Sequence, residues 1–178
     1  MVQISENIKA RQIGFFLVPN FTMIALTAAI EPLRLAHHVT GKRLYDWNLI
    51  STDGNPVAAS NGIALPTDQA VSAVKTHPLI FVCGGLGSHD YNNRTVFAWL
   101  RRLDAGGSTL GSICTGSSVL ARAGLLKGYR CTAHWENLAG LIERYPDVEF
   151  TSELFEMDRN RLTCSGGTAA LDMMLNLI

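Results

Sequence analysis

The sequence predicts an α/β fold: a doubly wound, mostly parallel sheet flanked by helices on both faces, with a small hairpin. Two observations carry this. Short runs that are apolar throughout, such as Ile13 to Val18 and Leu79 to Val82, alternate with longer segments of helical period. Strands apolar on both sides are buried on both faces, and the intervening helices cover those faces. The second observation is size. With 178 residues, 47% hydrophobic and 17% charged, the chain can bury one core and is read as a single domain over residues 1–178.

Ile13 to Val18 is strand-length and closes at Pro19-Asn20. Thr22 to His38 reads as a helix with Thr22 at its N-cap, and Pro32 is expected to kink it or end its first half. Tyr45 to Thr52 is a second strand, stopped by Asp53-Gly54-Asn55-Pro56. The turn-rich stretch through Asn61-Gly62 to Asp68 is expected to hold short strands. Leu79 to Val82 is followed at once by Cys83-Gly84-Gly85. A helix over Arg94 to Asp104 ends at Gly106-Gly107.

Thr109 to Ile113 is the next strand, then Cys114-Thr115-Gly116 and a helix over Ser117 to Ala123. His134 to Tyr145 is helical and stops at Pro146. Leu154 to Met157 and Arg161 to Cys164 flank a hairpin turn at Asp158-Arg159-Asn160. A last helix follows Gly166-Gly167 and runs to Ile178 in mid-pattern, without a C-cap, so a longer natural protein is expected.

Fifteen basic and fifteen acidic side chains cancel. A neutral, apolar-rich chain is not a disordered one. Nor does it show the basic surplus that phosphate contacts require. No run of about 18 apolar residues exists, so no membrane contact is expected. Met1 to Gln12 lacks an apolar leader segment, and a cytoplasmic location is expected. Cys83, Cys114, Cys131 and Cys164 form no CxxC pair, which suggests neither metal nor cofactor but free thiols.

In a doubly wound sheet ligands bind at the carboxyl ends of the strands. Cys83-Gly84-Gly85, Cys114-Thr115-Gly116 and Cys164-Ser165-Gly166-Gly167 all lie at such ends, so the site is expected on that rim. Gly111 to Gly116 reads as a strand-to-helix elbow with Cys114 at its apex. Gly84 and Gly85 lack a Cβ and could bring backbone N–H groups close to an anion. His134 could reach the thiol as a base.

These residues resemble the ThiJ/PfpI branch of the class I glutamine amidotransferase-like superfamily, whose fold is flavodoxin-like. The matching elements are Gly84-Gly85, the Cys114 elbow, Thr132-Ala133-His134-Trp135 and Ser165-Gly166-Gly167-Thr168. More specifically, the chain resembles the N-terminal amidase-like sensor domains of AraC-type transcription regulators. Glu31 to Ala36, Tyr45-Asp46-Trp47, Ser60-Asn61-Gly62, Ala121 to Leu126 and Asp158 to Arg161 carry that likeness. The resemblance implies a small nitrogen compound as effector, of the arginine, carnitine or betaine kind. It also implies a homodimer and a helix-turn-helix domain after Ile178, through which alone DNA would be bound.

ThiJ-like enzymes place an acid near the start of the first helix, where this chain has Ile24 and Ala25. PfpI-type proteases follow the nucleophile with His, where this chain has Thr115. A non-catalytic sensor is therefore expected, with Cys114, Thr115, Gly84, Gly85, His134, Trp135, Glu31 and Phe21 as candidate ligand contacts. Trp135 is either core or one wall of a cation cage, and Phe21 is a weaker cage candidate. Glu31 either pairs with Arg34 on the surface or meets a cationic ligand. Two alternatives stay open. One is a cysteine hydrolase or glyoxalase-like enzyme with Cys114 as nucleophile, His134 as base and the Gly84, Gly85 and Thr115 amides as oxyanion donors. The other is a dimerisation module with a closed, dry rim.

Overall fold

Strand β1 (Arg11–Leu17) shows how the chain builds two cores from one strand. Its side chains alternate across the sheet. Ile13, Phe15 and Leu17 enter one apolar cluster, while Phe16 and the adjoining Val18 enter the other. The computed structural model describes residues 10–178; most of the polar N-terminal segment read above, residues 1–9, lies outside the described residues.

The remaining elements follow in order: α1 (Met23–Thr40), β2 (Tyr45–Ser51), β3 (Val57–Ala58), β4 (Ala64–Leu65), β5 (Gln69–Ala70), β6 (Leu79–Cys83), α2 (Arg94–Ala105), β7 (Thr109–Ile113) and α3 (Gly116–Arg122). Then come β8 (Arg130–Thr132), α4 (Trp135–Arg144), β9 (Glu149–Thr151), β10 (Phe155–Asp158), β11 (Arg161–Cys164) and α5 (Ala169–Leu177). The main sheet has seven strands in the order β10-β11-β7-β6-β1-β2-β5. All its pairings are parallel except the β10–β11 hairpin. The doubly wound sandwich expected from the sequence is the fold observed.

One face of the sheet packs Phe16, Ile80 and Val82 against Val96, Trp99, Leu100 and Leu103 of α2, with Val119 and Leu120 of α3. The other packs Phe15, Leu17 and Phe81 against Ala25, Leu26, Ala29 and Leu33 of α1 and Met173 and Met174 of α5. Each such large side chain stabilises by about 1.5–3 kcal/mol on burial. Asn93 caps α2, its Oδ1 accepting from the amides of Thr95 at 3.0 Å and Val96 at 3.2 Å.

Two expectations need correction. The helix expected over Thr22 to His38 is present as α1, but of the two outcomes expected at Pro32 an early end does not occur: α1 runs through it to Thr40, where Gly41 at φ 64° caps it. The loss of one ladder hydrogen bond there is offset by the buried face of Ala25, Leu26, Ala29, Pro32 and Leu33. The parallel pair β8–β9 was not expected at all. It is tied to the body by Thr132, whose amide donates to Thr163 Oγ1 at 2.8 Å. Ser117 Oγ donates to the Thr132 carbonyl at 2.8 Å and meets Ser112 Oγ at 2.7 Å. This buried chain of hydroxyls runs from β7 through α3 to β8, and so positions the residues that follow β8.

Candidate functional site

Cys114 stands between β7 and α3 at φ 59°. A non-glycine residue in this region is strained by about 1–2 kcal/mol, and it persists only where its surroundings over-determine it. Here they do. A Cβ on Gly84 would strike the Thr115–Gly116 backbone, one on Gly116 would strike the Val82 carbonyl, and one on Gly166 would lie 2.6 Å from Cys114 Cβ. The exits of β6, β7 and β11 thus interlock backbone against backbone. Two hydrogen bonds stitch them: Cys114 N to Cys164 O and Gly84 N to Ile113 O, both 3.1 Å. The convergence of these three exits on one rim is what the sequence led us to expect.

Above the elbow lies a pocket of about 360 Å³, lined by Thr22, Ser60, Gly85, Leu86, Gly87, His89, Cys114, Thr115, His134, Glu136 and Asn137. The closed, dry rim of the dimerisation reading is not what the structure has. The thiol's polar neighbour is Thr22, with Oγ1 3.6 Å from Cys114 Sγ. Thr22 does occupy the N-cap position of α1, but its side chain caps nothing there. Gly84 N is engaged by Ile113, and Gly85 N donates to Ser88 Oγ at 2.9 Å. Neither amide is free to meet a ligand, although Gly85 still forms part of the wall. Thr115 Oγ1 donates to Gly85 O at 2.7 Å, which locks the floor.

His134 is the N-cap of α4. Its buried Nδ1 makes no hydrogen bond among the described residues and lies 3.7 Å from Glu136 Oε2. No hydrogen bond joins His134 to Cys114. Cys83, Cys131 and Cys164 are enclosed elsewhere. Burial pushes the Cys83 thiol well up, and raises Cys131 and Cys164 to about 12. They stay protonated thiols at neutral pH and are inert as nucleophiles.

The structure brings Cys114, Thr115, Gly85 and His134 together and sets Gly84 beneath them. It leaves three candidates apart. Phe21 is fully buried below the rim, bridged to Ala59 and Gly85. Glu31 is exposed and receives Arg34 Nε at 2.8 Å and Nη2 at 2.6 Å, the surface pair of the alternative reading. Trp135 is 74% exposed, tilted against His134 at 5.8 Å, and lies in no core. Sequence reasoning missed Thr22, Ser60, His89, Glu136 and Asn137. Glu136 and Asn137 had a signal, since they fill the first turn of α4 beside His134, and Ser60 had one in the Ser60-Asn61-Gly62 motif; His89 had none.

A strained cysteine elbow at the carboxyl edge of a doubly wound sheet defines a class of α/β proteins with a thiol at the floor of an open pocket. The chain belongs to the DJ-1/PfpI family, which it matches over residues 12–178. It is 45% identical over 173 residues to the HTH-type transcriptional regulator GbdR of Pseudomonas aeruginosa, covering 97% of this chain and 47% of that one. It is 46% identical over 164 residues to the HTH-type transcriptional regulator CdhR of the same species, covering 92% and 48%. The chain thus spans about half the length of these curated relatives. The crystal structure of an AraC family transcriptional regulator from Pseudomonas putida superposes with a TM-score of 0.84 at 31% identity, covering 94% of this chain and 90% of that one.

Proposed function

We propose that this domain senses a small nitrogen compound of the arginine, carnitine or betaine kind. The compound binds in the Cys114 pocket and controls a helix-turn-helix DNA-binding domain in the same cytoplasmic, homodimeric regulator. One observation carries this reading. The elbow and its pocket are built, but the group set against the thiol is the neutral Thr22 hydroxyl, and the Gly84 and Gly85 amides are spent inside the protein. A thiol whose polar neighbour is a neutral hydroxyl, with two of the three amides that could serve as oxyanion donors occupied, serves as a wall better than as a nucleophile. The named regulators among its relatives support the same reading. To act as a switch, the ligand must bind two states of the protein with different affinity.

The strain kept at Cys114 favours a second reading, a cysteine-dependent hydrolase or glyoxalase-like enzyme with His134 as base. Thermal unfolding with L-arginine, carnitine, glycine betaine, dimethylglycine, choline and sarcosine separates the two. A ligand at 100 times its Kd stabilises by about 2.7 kcal/mol, a shift of roughly 5–10 °C for a domain of this size. The sensor reading expects a selective shift that does not decay as the mixture stands. A flat panel, together with turnover of amide, ester or α-ketoaldehyde substrates that Cys114→Ala abolishes, overturns it.

A further inference from the structure

A second chamber of about 220 Å³ opens between α3 and α4. It shares His89, Glu136 and Asn137 with the Cys114 pocket, so the two adjoin along the first turn of α4. Ser118 and Arg144 belong to the second chamber alone. Ser118 is 4% exposed, and its buried Oγ has no hydrogen-bond partner among the described residues. Its neighbour Ser117, on the same helix, has two. Buried hydroxyls are nearly always paired, so an orphan beside a chamber calls for a partner there, a water or a guest.

Arg144 makes no ion pair among the described residues, and its guanidinium lies 5.9 Å from the centroid of the Tyr145 ring. A planar guanidinium with free N–H groups matches a carboxylate. Glu136 stands where the two chambers meet, its carboxylate turned towards the unpartnered His134 Nδ1. The space is therefore negative at its waist, and cationic with a spare hydroxyl at its far end. Gly140 adds to this. It lies inside α4, where glycine is unfavourable, yet a Cβ there would touch nothing within 4 Å. Packing does not require this glycine; it leaves the chamber wide.

We propose that the Ser118–Arg144 chamber is a carboxylate subsite. It takes the carboxylate of a zwitterion long enough to follow two turns of α4, about 12 Å, whose cationic nitrogen rests beside Glu136 on the Cys114 side, so the L-arginine and agmatine pair is the one expected to respond. This rests on the sensing reading and adds to it the ligand's charge pattern: both charges are read, by groups on one helix, α4.

Matched probes differing in the carboxylate test this: glycine betaine against choline, and L-arginine against agmatine. Calorimetric titration of the protein is expected to favour L-arginine over agmatine by tenfold or more. Arg144→Gln is expected to bring that preference close to one and leave the agmatine affinity unchanged. Arg144 is exposed, so the variant is expected to keep its Tm. Gly140→Ala provides a second route: it is expected to raise Tm by strengthening α4 while weakening the carboxylate probe several-fold. If the preference survives both substitutions, or if L-arginine and agmatine bind alike, the chamber holds only solvent; the subsite is overturned and the sensing reading stands. If none of the four probes binds, the nitrogen-compound reading fails and the subsite falls with it.

Discussion

The two ends of the sheet differ in a way that separates a site from a mere hollow. At the amino end, a cavity of about 410 Å³ is lined by Lys75, Thr76, His77, Pro78, Arg102, Leu103, Gly106, Gly107 and Ser108. It is larger than either chamber at the carboxyl end. Yet three of its polar side chains close on the protein. Arg102 Nη2 donates to Val74 O at 3.1 Å, Ser108 Oγ to His77 O at 2.6 Å, and His77 Nε2 meets Asn48 Oδ1 at 3.2 Å. Its one orphan, His77 Nδ1, belongs to a ring whose pKa burial lowers, which favours the neutral form. At the carboxyl end three strand exits lie backbone against backbone, a non-glycine residue holds a positive φ, and Ser118 and His134 keep unpaired polar atoms. Volume does not distinguish the ends. Enforced geometry and unspent polar groups do.

The glycines give the sharpest way to break this contrast. Gly166 sits at φ +96°, and a Cβ there would lie 2.6 Å from Cys114 Cβ; Gly107 at the amino end sits at φ +86° with nothing within 4 Å. Gly166→Ala meets both backbone strain and overpacking, and is expected to cost about 3 kcal/mol or more. Gly107→Ala meets the backbone strain alone and is expected to cost about 1 kcal/mol. Urea titration of the two variants measures the difference. Equal costs would mean that the carboxyl rim is as soft as the other end and that Cys114 is not held by its neighbours.

The same contrast shows what the sequence could reveal. Strand β6 and residues 13–17 of β1 were legible because they are apolar runs without a charged or polar residue, and β7 because Gly106-Gly107 and the Cys114 elbow bound it. The Cys114 elbow was legible because its glycines are local. Strands β8 and β9 were not, since Arg130, Thr132, Glu149 and Thr151 read as surface. Thr132 Oγ1 instead donates to Thr151 O at 3.1 Å, and Arg130 Nη2 pairs with Glu156 at 2.9 Å. Thr22 was read as a cap because local rules say so; only the docking of α1 on the rim turns its hydroxyl to the thiol. Trp135 beside His134 suggested a wall or a core, and the helix direction after β8 points it to solvent instead. The second chamber exists only through the approach of α4 to α3, which no local pattern encodes.

The cysteines sharpen the contrast through pH. Cys131 and Cys164 titrate near 12 in the fold because burial disfavours the thiolate. In the unfolded chain they titrate near 8.5, within about one unit. Above that pH the unfolded state sheds protons that the folded state keeps. Stability is therefore complete below about pH 8.5 and falls as pH rises towards 12. A loss of about 1–2 kcal/mol per thiol is expected by pH 10. Urea midpoints from pH 7.5 to 10.5 measure it, and a flat profile would show that these thiols are less enclosed than the structure places them. Cys83, which burial pushes up further still, adds to the slope, so replacing Cys83, Cys131 and Cys164 together by Ala should remove most of it.

The smallest expected effect tests the contrast most directly, because it is a null at the larger cavity. Lys75 is exposed at the amino end and makes no ion pair among the described residues. Lys75→Ala is expected to change stability by no more than about 0.5 kcal/mol, as for most surface substitutions. It is also expected to leave the ligand-induced thermal shift unchanged. Thr22→Val is its counterpart at the carboxyl end. It keeps the side chain's shape and removes only the hydroxyl 3.6 Å from Cys114 Sγ. It too should alter stability little, but it should reduce the shift, because one wall of the pocket changes from polar to apolar. A shift lost in Lys75→Ala and kept in Thr22→Val would move the ligand to the amino end, where the cavity is larger but Arg102, Ser108 and His77 Nε2 already bond within the protein. The ligand would then be held chiefly by the Lys75 charge, and its affinity should fall steeply with added salt.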